Sequence, residues 1–500
     1  MTHHTVVIAG GGPTGLMLAG ELALAGIDVA VVERRPNQQL SGARALGISA
    51  RTIEVLDQRG IADRFLSAGQ TAQVTGFGTT RLDISDFPTR HHYGLALRQK
   101  HIERILADWV TELQVPILYD HEIIGFVQHG TTGVDIALAD GQSLHADYLI
   151  GCDGGRSIVR KTAGIDFPGW DPTTSNILAE VEMSETPPYG IHRSATGTYA
   201  FGREEYEIRG GEIIYKDVGP IGVMVTEPNP NSTAEPTLQD LKGLLIAACG
   251  TDFGVHSPTW ISRFTDMTRQ AAAYRVGRVL LAGDAAHIHS PIGGLGLGTG
   301  LQDAVNLGWK LAQVVKGTSP DTLLDTYHAE RHPVGARVLK ATMAQVALHR
   351  EDARTLALRD IVGDMLRLEE ARKHIAGMMS GLDIRYSLGE GHPLLGRRMP
   401  DLEVVTTNGP QRVFGFLRKT QAVLLNLGAP RAIDFAPWSD RVQCIDATYA
   451  GTWELPVLGE VAAPAAVLIR PDGHVAWVGD GTTQGLTQAL TTWFGAPASR

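Results

Sequence analysis

The first forty residues constrain the fold more than any other part of the sequence. Residues 5–9 form a short, β-branched apolar run of the kind found in buried parallel strands. The segment 10–15 follows with the sequence GGGPTG, residues 16–25 have the composition of a helix, and a second apolar run ends at Glu33. A strand, a glycine-rich turn, a helix and a second strand form the unit that binds dinucleotides in open α/β sheets. We therefore predict an α/β protein built on a Rossmann-like domain.

The residues of this unit have distinct predicted roles. Gly10 permits the tight turn, Gly12 lets a pyrophosphate approach the backbone, and Gly15 lets the helix pack closely on the strand. The acid at the end of the second strand is placed to bind a ribose hydroxyl. The predicted cofactor contacts here are Gly10, Gly12, Pro13, Thr14, Gly15, Glu33 and Arg34. An NAD(P)-dependent dehydrogenase that uses only this unit is an alternative.

Two further strands end in an acid. Residues 146–151 are followed by Cys152-Asp153-Gly154, and residues 279–282 are followed by Gly283-Asp284. A glycine-rich loop from Pro291 to Gly300 and an amphipathic helix come next. Ligands of open α/β sheets bind outside the carboxyl ends of the strands, so both acids are predicted to reach one crevice. For either segment alone, an ordinary strand–loop–helix connection is the alternative.

Composition excludes several classes of protein. A chain of 500 residues is too long for one core, and its net charge of −10 gives no reason to expect nucleic acid or an anionic membrane as partner. No apolar run reaches the length of a membrane span, and no signal peptide is evident, so we expect a cytoplasmic protein. The three cysteines are dispersed and form no CxxC, and no metal site is predicted at His287 and His289 because no ligand set completes it.

Two later regions have their own patterns. Between residues 171 and 269, apolar and polar residues alternate in segments separated by turn residues, which predicts an antiparallel sheet with one covered face. Residues 401–500 form a distinct unit with strands at 422–427, 442–446, 465–470 and 474–479 and a final helix at 485–494.

The three motifs together resemble the class A (single-component) FAD-dependent aromatic hydroxylases. The glycine motif at 10–15, Asp153-Gly154 and Gly283-Asp284 occur in that order and at such separations in this family. The segments 250–258 (GTDFGVHSP) and 389–398 (GEGHPLLGRR) resemble the rifampicin monooxygenases in particular, and the tetracycline-pathway and anthracycline-type hydroxylases are also similar.

The resemblance implies three domains and a reaction. Residues 1–170 and 270–400 would form a discontinuous FAD-binding domain with long helices. Residues 171–269 would form an inserted, mixed β-sheet substrate domain, and residues 401–500 a thioredoxin-like domain that lacks CxxC. FAD would be reduced by NADPH (or NADH) and would react with O2 to a flavin C4a-hydroperoxide, which hydroxylates an aromatic polyketide or a rifamycin-like phenol or naphthol. The protein would be a monomer or homodimer.

The resemblance also implies roles for individual residues. Arg44 and Gln99 would contact FAD phosphate or ribityl groups, Asp153 the pyrophosphate region and Asp284 the ribityl chain. The expected contacts of the flavin ring are Pro291, Gly293, Gly294, Leu295, Gly296 and Leu297. Arg44 and the backbone of Gly293 and Gly294 are the predicted groups nearest to the reaction. The candidate pocket residues are Phe77, Arg193, Tyr199, Phe201, Arg209, Tyr215 and Met224, with core packing (aromatic residues) and solvated surface (arginines) as alternatives.

Two positions depart from the family pattern. Leu295 stands where the family usually has Gln, and Gly298 where it usually has Asn. A non-catalytic flavin- or drug-binding protein is therefore an alternative. A biosynthetic hydroxylase of a tetracycline- or anthracycline-type polyketide is another.

Overall fold

The chain folds around one large, mainly parallel sheet. The computed structural model describes residues 2–498 except 41, 43, 44, 131, 195, 204, 210, 211, 217, 233 and 432, and it describes only the backbone of residues 206–209, 212 and 213. The strand order of the large sheet is Arg275–Val276, Val279–Leu281, Ser143–Gly151, Thr2–Ala9, Val29–Val32 and Ile117–Leu118. The last five run parallel, and Val134–Leu138 and Ile123–Gln128 extend the sheet as an antiparallel branch. The short central strands are almost fully buried, as expected for parallel strands covered on both faces.

Helices cover this sheet and link it to the rest of the protein. The described helices are Pro13–Leu24, Ala50–Gln58, Ala62–Leu66, Gln99–Glu112, Ile158–Thr162, Leu238–Cys249, Gly296–Val315, Asp325–Leu348, Ala353–Met365, Glu369–Ser380, Val413–Phe416 and Leu486–Phe494. Short 3-10 turns lie at Gly283–Ala285, Asp321–Leu324 and Ala436–Trp438. None of the described helices is both long and apolar enough to cross a membrane.

A second sheet is antiparallel throughout. Its strand order is Gly190–Ser194, Gly197–Arg203, Ile221–Glu227, Ser175–Met183 and Val255–Thr265. The period-two pattern predicts this arrangement, whereas the expected mixed sheet is wrong. The pattern missed the edge strand Val255–Thr265, which contains Pro258; proline is tolerated at a sheet edge because its missing N–H faces away from a partner strand.

Smaller pairings complete the region between the sheets. Three-stranded sheets join Gly169–Trp170, Thr268–Gln270 and His287–Ile288, and Gly47–Ile48, Gly94–Ala96 and Gln70–Ala72. Two-stranded pairs join Val74–Phe77 with Thr80–Asp83, Tyr206–Arg209 with Glu212–Tyr215, and Glu454–Leu455 with Gly459–Glu460.

The C-terminal hundred residues form a third sheet, in which four strands lie at the predicted positions and two, Glu403–Thr406 and Gly409–Arg412, are additional to the prediction. Its strand order is Gly409–Arg412, Glu403–Thr406, Val442–Thr448, Ala422–Asn426, Ala466–Ile469 and Val475–Gly479. Trp309 of the helix Gly296–Val315 packs with Trp493 and Phe494 of this unit, so the C-terminal unit shares a core with the rest of the protein. All three cysteines are free thiols.

Candidate active site

The three sequence motifs meet at the carboxyl edge of the large sheet. Ala9 is in register with Val32 on one side and with Gly151 on the other, and Gly151 is in register with Leu281. The segments that follow these four strands therefore emerge side by side. They carry the glycine turn, Glu33, Asp153 and Asp284, so the register alone brings the predicted cofactor residues to one edge.

At this edge, neighbouring backbone segments lie so close together that only glycine fits at two positions. Gly10 has a φ of +104°, and a Cβ placed on it would lie 2.5 Å from the carbonyl oxygen of Cys152 in the second motif. A Cβ on Gly15 would overlap the carbonyl oxygen of Gly10. Gly12, at the start of the helix Pro13–Leu24, faces open space within 4 Å. The turn is thus packed on its inner side and open on its outer side, where a phosphate can approach the helix N-terminus.

Thr14 joins the first motif to the third. A Cβ on Gly283 would lie 2.6 Å from the Thr14 hydroxyl oxygen, and a Cβ on Gly300 would overlap the same atom. Gly283 has a φ of +62°, so a side chain there would be strained as well as crowded. Glycine at both positions lets the Asp284 turn lie directly against the dinucleotide turn.

Hydrogen bonds hold the Glu33 side chain against the glycine turn. Its carboxylate accepts hydrogen bonds from the backbone N–H of Gly11 (2.8 Å) and of Arg35 (2.9 Å), and the Arg35 guanidinium lies 3.1 Å from it. Burial raises the pKa of Glu33, but the hydrogen bonds from Arg35 and Gly11 outweigh burial and lower that pKa overall. Glu33 is therefore a fixed anion at this edge.

The two arginines that follow Glu33 lie in different surroundings. Arg34 is exposed, whereas Arg35 bridges Glu33 and Glu103, with its Nη1 2.9 Å from the Glu103 carboxylate. Gln99 donates to Glu103 at 2.8 Å and so belongs to the same network. Alternation along the strand does not extend into the turn after Glu33, so the sequence pattern does not distinguish the two arginines.

Asp153 presents one satisfied and one free oxygen. Its Oδ2 accepts hydrogen bonds from the backbone N–H of Ile158 (2.7 Å) and Val159 (3.1 Å), which caps the following helix. Its Oδ1 is buried and has no hydrogen-bond partner among the described residues. A buried carboxylate oxygen without a donor is costly, so this atom is placed for a donor that a bound molecule supplies.

The third motif adds an exposed acid and an open loop. Asp284 is exposed at the end of the strand Val279–Leu281. Gly293 and Gly294 have φ values of +83° and +65°, and Gly294 faces open space within 4 Å. The loop backbone at Gly294 is therefore accessible to a flat ligand. Arg44, the other residue predicted near the reaction, lies outside the described residues.

The remaining loop residues differ in exposure. Pro291 is exposed, Leu295 is buried, and Gly296 and Leu297 are half-buried at the start of the helix Gly296–Val315. A Cβ on Gly298 would overlap the Thr52 hydroxyl of the helix Ala50–Gln58. The close approach of these two helices gives the glycine at 298 a packing reason.

The second sheet has a covered face and an open face. The helix Leu238–Cys249 packs on one face, where Phe201 is buried in a cluster with Val223 and Leu241. Tyr199 lies on the same face, with its ring edge-on to Phe201 at 5.9 Å. Phe201 is therefore a core residue, and Tyr199 is half-buried beside it on the covered face.

Met224 lies on the open face, which is turned toward the nucleotide edge. Met224 is in register with Leu178, and two positions along that strand Glu180 accepts a hydrogen bond from Arg98 at 3.3 Å. Trp260 is in register with Glu180, and its ring fills the space where Gly42 would carry a Cβ. Arg98 directly precedes Gln99, which is linked through Glu103 to Arg35 beside Glu33, so the open face approaches the dinucleotide turn at this point.

The other candidate pocket residues have partners elsewhere. Arg193 forms an ion pair with Glu351 at 2.9 Å, in which both side chains are exposed. Phe77 packs in a small cluster with Leu366. Tyr215 lies against Tyr189, with ring centroids 5.0 Å apart, and the Arg209 side chain lies outside the described part of the structure.

Comparison with known proteins agrees with this geometry. Residues 3–342 match the family described as FAD binding domain, and residues 392–497 match the aromatic-ring hydroxylase C-terminal family. The chain belongs to the FAD-dependent aromatic-ring hydroxylases. It is 41% identical to a 12-dehydrotetracycline 5-monooxygenase/anhydrotetracycline 6-monooxygenase of Streptomyces rimosus, over 99% of each chain. It is 42% identical to a rifampicin monooxygenase of Streptomyces venezuelae, over 98% of each.

A solved structure shows the same fold. The anhydrotetracycline hydroxylase from Streptomyces rimosus aligns with a TM-score of 0.89 at 40% identity and covers 99% of this hydroxylase and 100% of that chain. The predicted family and its α/β fold are confirmed, and so is the FAD-dependent class of enzyme.

The residues of this hydroxylase fit FAD. The free Oδ1 of Asp153, the exposed carboxylate of Asp284 and the open backbone at Gly12 and Gly294 lie along one edge, and Glu33 is a fixed anion at its far end. The edge thus offers acceptors for hydroxyl groups and backbone donors for phosphate. Among the described residues, no cluster of three or more His, Cys, Asp or Glu side chains is placed to hold a metal ion.

The residues that sequence patterns missed come mainly from the open sheet face. Glu180 and Trp260 reach the nucleotide side through their register, and Phe264, Ser262 and Leu178 share their face. The alternation predicts which residues share a face, but not which face a helix covers.

Proposed function

We propose that this hydroxylase binds FAD along the carboxyl edge of the large sheet. Glu33 binds the adenosine ribose, the turn from Gly10 to Gly15 binds the pyrophosphate, and Asp153 offers its free oxygen near it. Asp284 binds the ribityl chain, and the loop 291–297 lines the flavin ring. One observation carries the proposal. Three motifs, each more than a hundred residues from the next, meet at one edge of the sheet that offers open backbone and free acceptors.

We further propose that the open face of the second sheet binds an aromatic polyketide or antibiotic-like phenol or naphthol. Met224, Leu178 and Trp260 give that face apolar area, which suits a large aromatic ring system. The similarity to enzymes named for tetracycline and rifampicin substrates supports this class. Residues 171–269 would then be the substrate domain, and residues 1–170 with 270–400 the FAD-binding domain.

The contribution of the protein is to position the reactants and exclude water. FAD, when bound, supplies the redox chemistry that draws electrons from NADPH (or NADH) and activates O2. The backbone N–H of Gly293, on the exposed part of the loop, would bind the flavin ring without depending on a side chain, while the Gly294 N–H donates to the carbonyl oxygen of Pro291 at 3.1 Å. The open sheet face holds the substrate over that ring, and the pairing of Arg98 with Glu180 keeps the face in place.

The C-terminal unit is proposed to be thioredoxin-like in fold without dithiol chemistry. Its only cysteine, Cys444, has a pKa raised to about 11, chiefly by burial and also by Asp446, so it remains a neutral thiol at neutral pH. A structural role, in a cytoplasmic monomer or homodimer, is consistent with the core it shares with Trp309.

The decisive experiment is reduction and reoxidation of the FAD-loaded protein with a substrate panel. Anaerobic protein is mixed with NADPH or NADH, with and without rifamycin, tetracycline and naphthoquinone compounds, and loss of the oxidised-flavin absorbance is followed. Oxygen is then admitted with an isotopic label, and the product is analysed by mass spectrometry. Ligand-accelerated reduction with one labelled oxygen in the product supports the proposal, and no reduction with any ligand contradicts it.

A non-catalytic flavin- or drug-binding protein is the second candidate, and Leu295 is the observation that favours it. The buried leucine offers no hydrogen bond where the family usually places an amide. Tight ligand binding without ligand-dependent NADPH oxidation would support this candidate. Restoring the amide with Leu295→Gln should then increase the rate of flavin reduction.

A further inference from the structure

A buried carboxylate lies directly under the turn that carries Asp284. Asp303, on the helix Gly296–Val315, is fully buried and accepts three hydrogen bonds. Its Oδ2 accepts from the backbone N–H of Gly283 (3.1 Å) and from the Nε2 of His287 (2.7 Å), and its Oδ1 accepts from the Nε of Arg331 (2.7 Å). One side chain therefore connects the turn of the third motif to two other elements.

Arg331 extends this connection to the glycine loop. It is fully buried on the helix Asp325–Leu348 and donates from Nη2 to the carbonyl oxygen of Thr299 at 3.1 Å. Thr299 lies in the first turn of the helix that follows the loop, so Arg331 fixes the end of the loop. The remaining donor, Nη1, bonds to the Tyr386 hydroxyl at 3.2 Å.

The charges in this cluster compensate each other. Burial raises the pKa of Asp303, but Arg331 and His287 outweigh burial and hold that pKa below its ordinary value. Asp303 is therefore ionised, and His287 must present its Nε2 proton to it. An ionised carboxylate binds the Gly283 N–H more strongly than a neutral acceptor would.

We propose that Asp303 is a positioning residue for FAD. With a φ of +62°, Gly283 has conformational freedom that other residues lack, and the turn needs an external contact to hold one conformation. Asp303 supplies that contact and so sets the direction in which Asp284 points, while Arg331 holds Asp303 and the loop end together. The inference rests on the proposed binding of FAD by Asp284. Asp303 and Arg331, which lie beneath the turn, would hold that turn in the conformation that binds FAD.

The test compares two buried carboxylates that differ in their contacts. Asp303→Asn removes the charge beneath the turn. Glu330→Gln is the matched control, because Glu330 is adjacent to Arg331, is buried, and pairs with Lys310 and Arg470 rather than with the turn. The measurements are the FAD Kd of the apo-protein by flavin fluorescence, the midpoint potential of the bound flavin, and the Tm of the apo-protein.

We expect Asp303→Asn to weaken FAD binding by about tenfold or more and to shift the midpoint potential. Glu330→Gln should lower the Tm while leaving the Kd and the potential at the wild-type values. Equal weakening in both variants would show general destabilisation and would overturn the proposal, as would a wild-type Kd in Asp303→Asn.

A milder variant decides the matter if Asp303→Asn does not fold. Tyr386→Phe keeps the ring and removes only the hydroxyl that Arg331 contacts, and we expect it to weaken FAD binding by about two- to fivefold. An unchanged Kd in this variant would overturn the proposal. A wild-type protein that binds no FAD would instead remove the proposed function, and this inference would fall with it.

Discussion

The protein contains two groups of carboxylates in very different states. Where the helix Asp325–Leu348 meets the C-terminal unit, Glu330 accepts hydrogen bonds from Arg470 (2.6 and 2.8 Å), Lys310 (2.9 Å) and Asn306 (2.7 Å). At the carboxyl edge of the large sheet, Asp153 has a buried oxygen without a donor and Asp284 is exposed. The oxygens of Glu330 are satisfied within the protein and serve the fold, whereas Asp153 and Asp284 keep acceptors that are available to a ligand. At these three positions the free acceptor distinguishes a proposed binding acid from a structural one.

Removing the paired acid should produce the largest effect on stability. Glu330→Ala leaves the buried Arg470 and Lys310 without their common partner, and breaking a buried pair in this way costs about 3–5 kcal/mol. We expect a large fall in the Tm of the apo-protein by calorimetry. FAD affinity, measured well below that Tm, should change little. A Tm equal to that of the wild type would show that the pairing does not support the fold.

The same interface should also make stability depend on pH. Burial lowers the pKa of His474 to about 4, more than the neighbouring Asp472 raises it, against an ordinary value of 6.5. As pH falls from 6.5 toward 4, the unfolded chain takes up a proton that the folded protein excludes, so stability decreases by up to about 3 kcal/mol. Above pH 6.5 the contribution is fully present.

Thermal unfolding between pH 7 and pH 4.5 measures this dependence. His474→Gln should show a shallower fall of Tm with pH than the wild type, because its side chain does not titrate. Parallel curves for the two proteins would assign the pH dependence to other groups.

Removing the exposed acid should affect binding rather than folding. Asp284→Ala deletes a charged acceptor for a ribityl hydroxyl, and such a loss is worth about 1.5–3 kcal/mol, or roughly ten- to a hundredfold in the FAD Kd. The Tm of the apo-protein should stay close to the wild-type value because the side chain is exposed. A variant that retains FAD as tightly as the wild type would contradict the assigned site.

The sequence predicts the proposed binding acids better than the structural ones. Glu33, Asp153 and Asp284 each follow a buried strand, and this position alone brings them to one edge. Asp303, Glu330 and Arg470 lie within helices or after a hairpin strand, and their partners are distant in sequence. Their pairing depends on how helices and the C-terminal unit pack, which local pattern does not encode.

The contrast between local pattern and tertiary packing also applies to the candidate pocket residues of the second sheet. Alternation predicts that Tyr199 and Phe201 share a face, and they do. Which face the helix Leu238–Cys249 covers is decided by tertiary packing, and Tyr199 and Phe201 lie on the covered face. Met224 lies on the opposite face by the same alternation.

The smallest effect concerns Gly298, which lies between the two groups of carboxylates on the helix that carries Asp303. A Cβ there overlaps the Thr52 hydroxyl, so Gly298→Ala should cost about 1–3 kcal/mol through overpacking, measured as a lower Tm. The double variant Gly298→Ala with Thr52→Ala removes the overlapping atom and should recover most of the loss, whereas Thr52→Ala alone should be close to neutral. If the alanine at 298 weakens FAD binding and the second substitution restores the Tm but not the Kd, position 298 acts on the cofactor directly. If both recover together, the glycine is an adaptation of helix packing, and the departure from the family pattern does not reduce flavin binding.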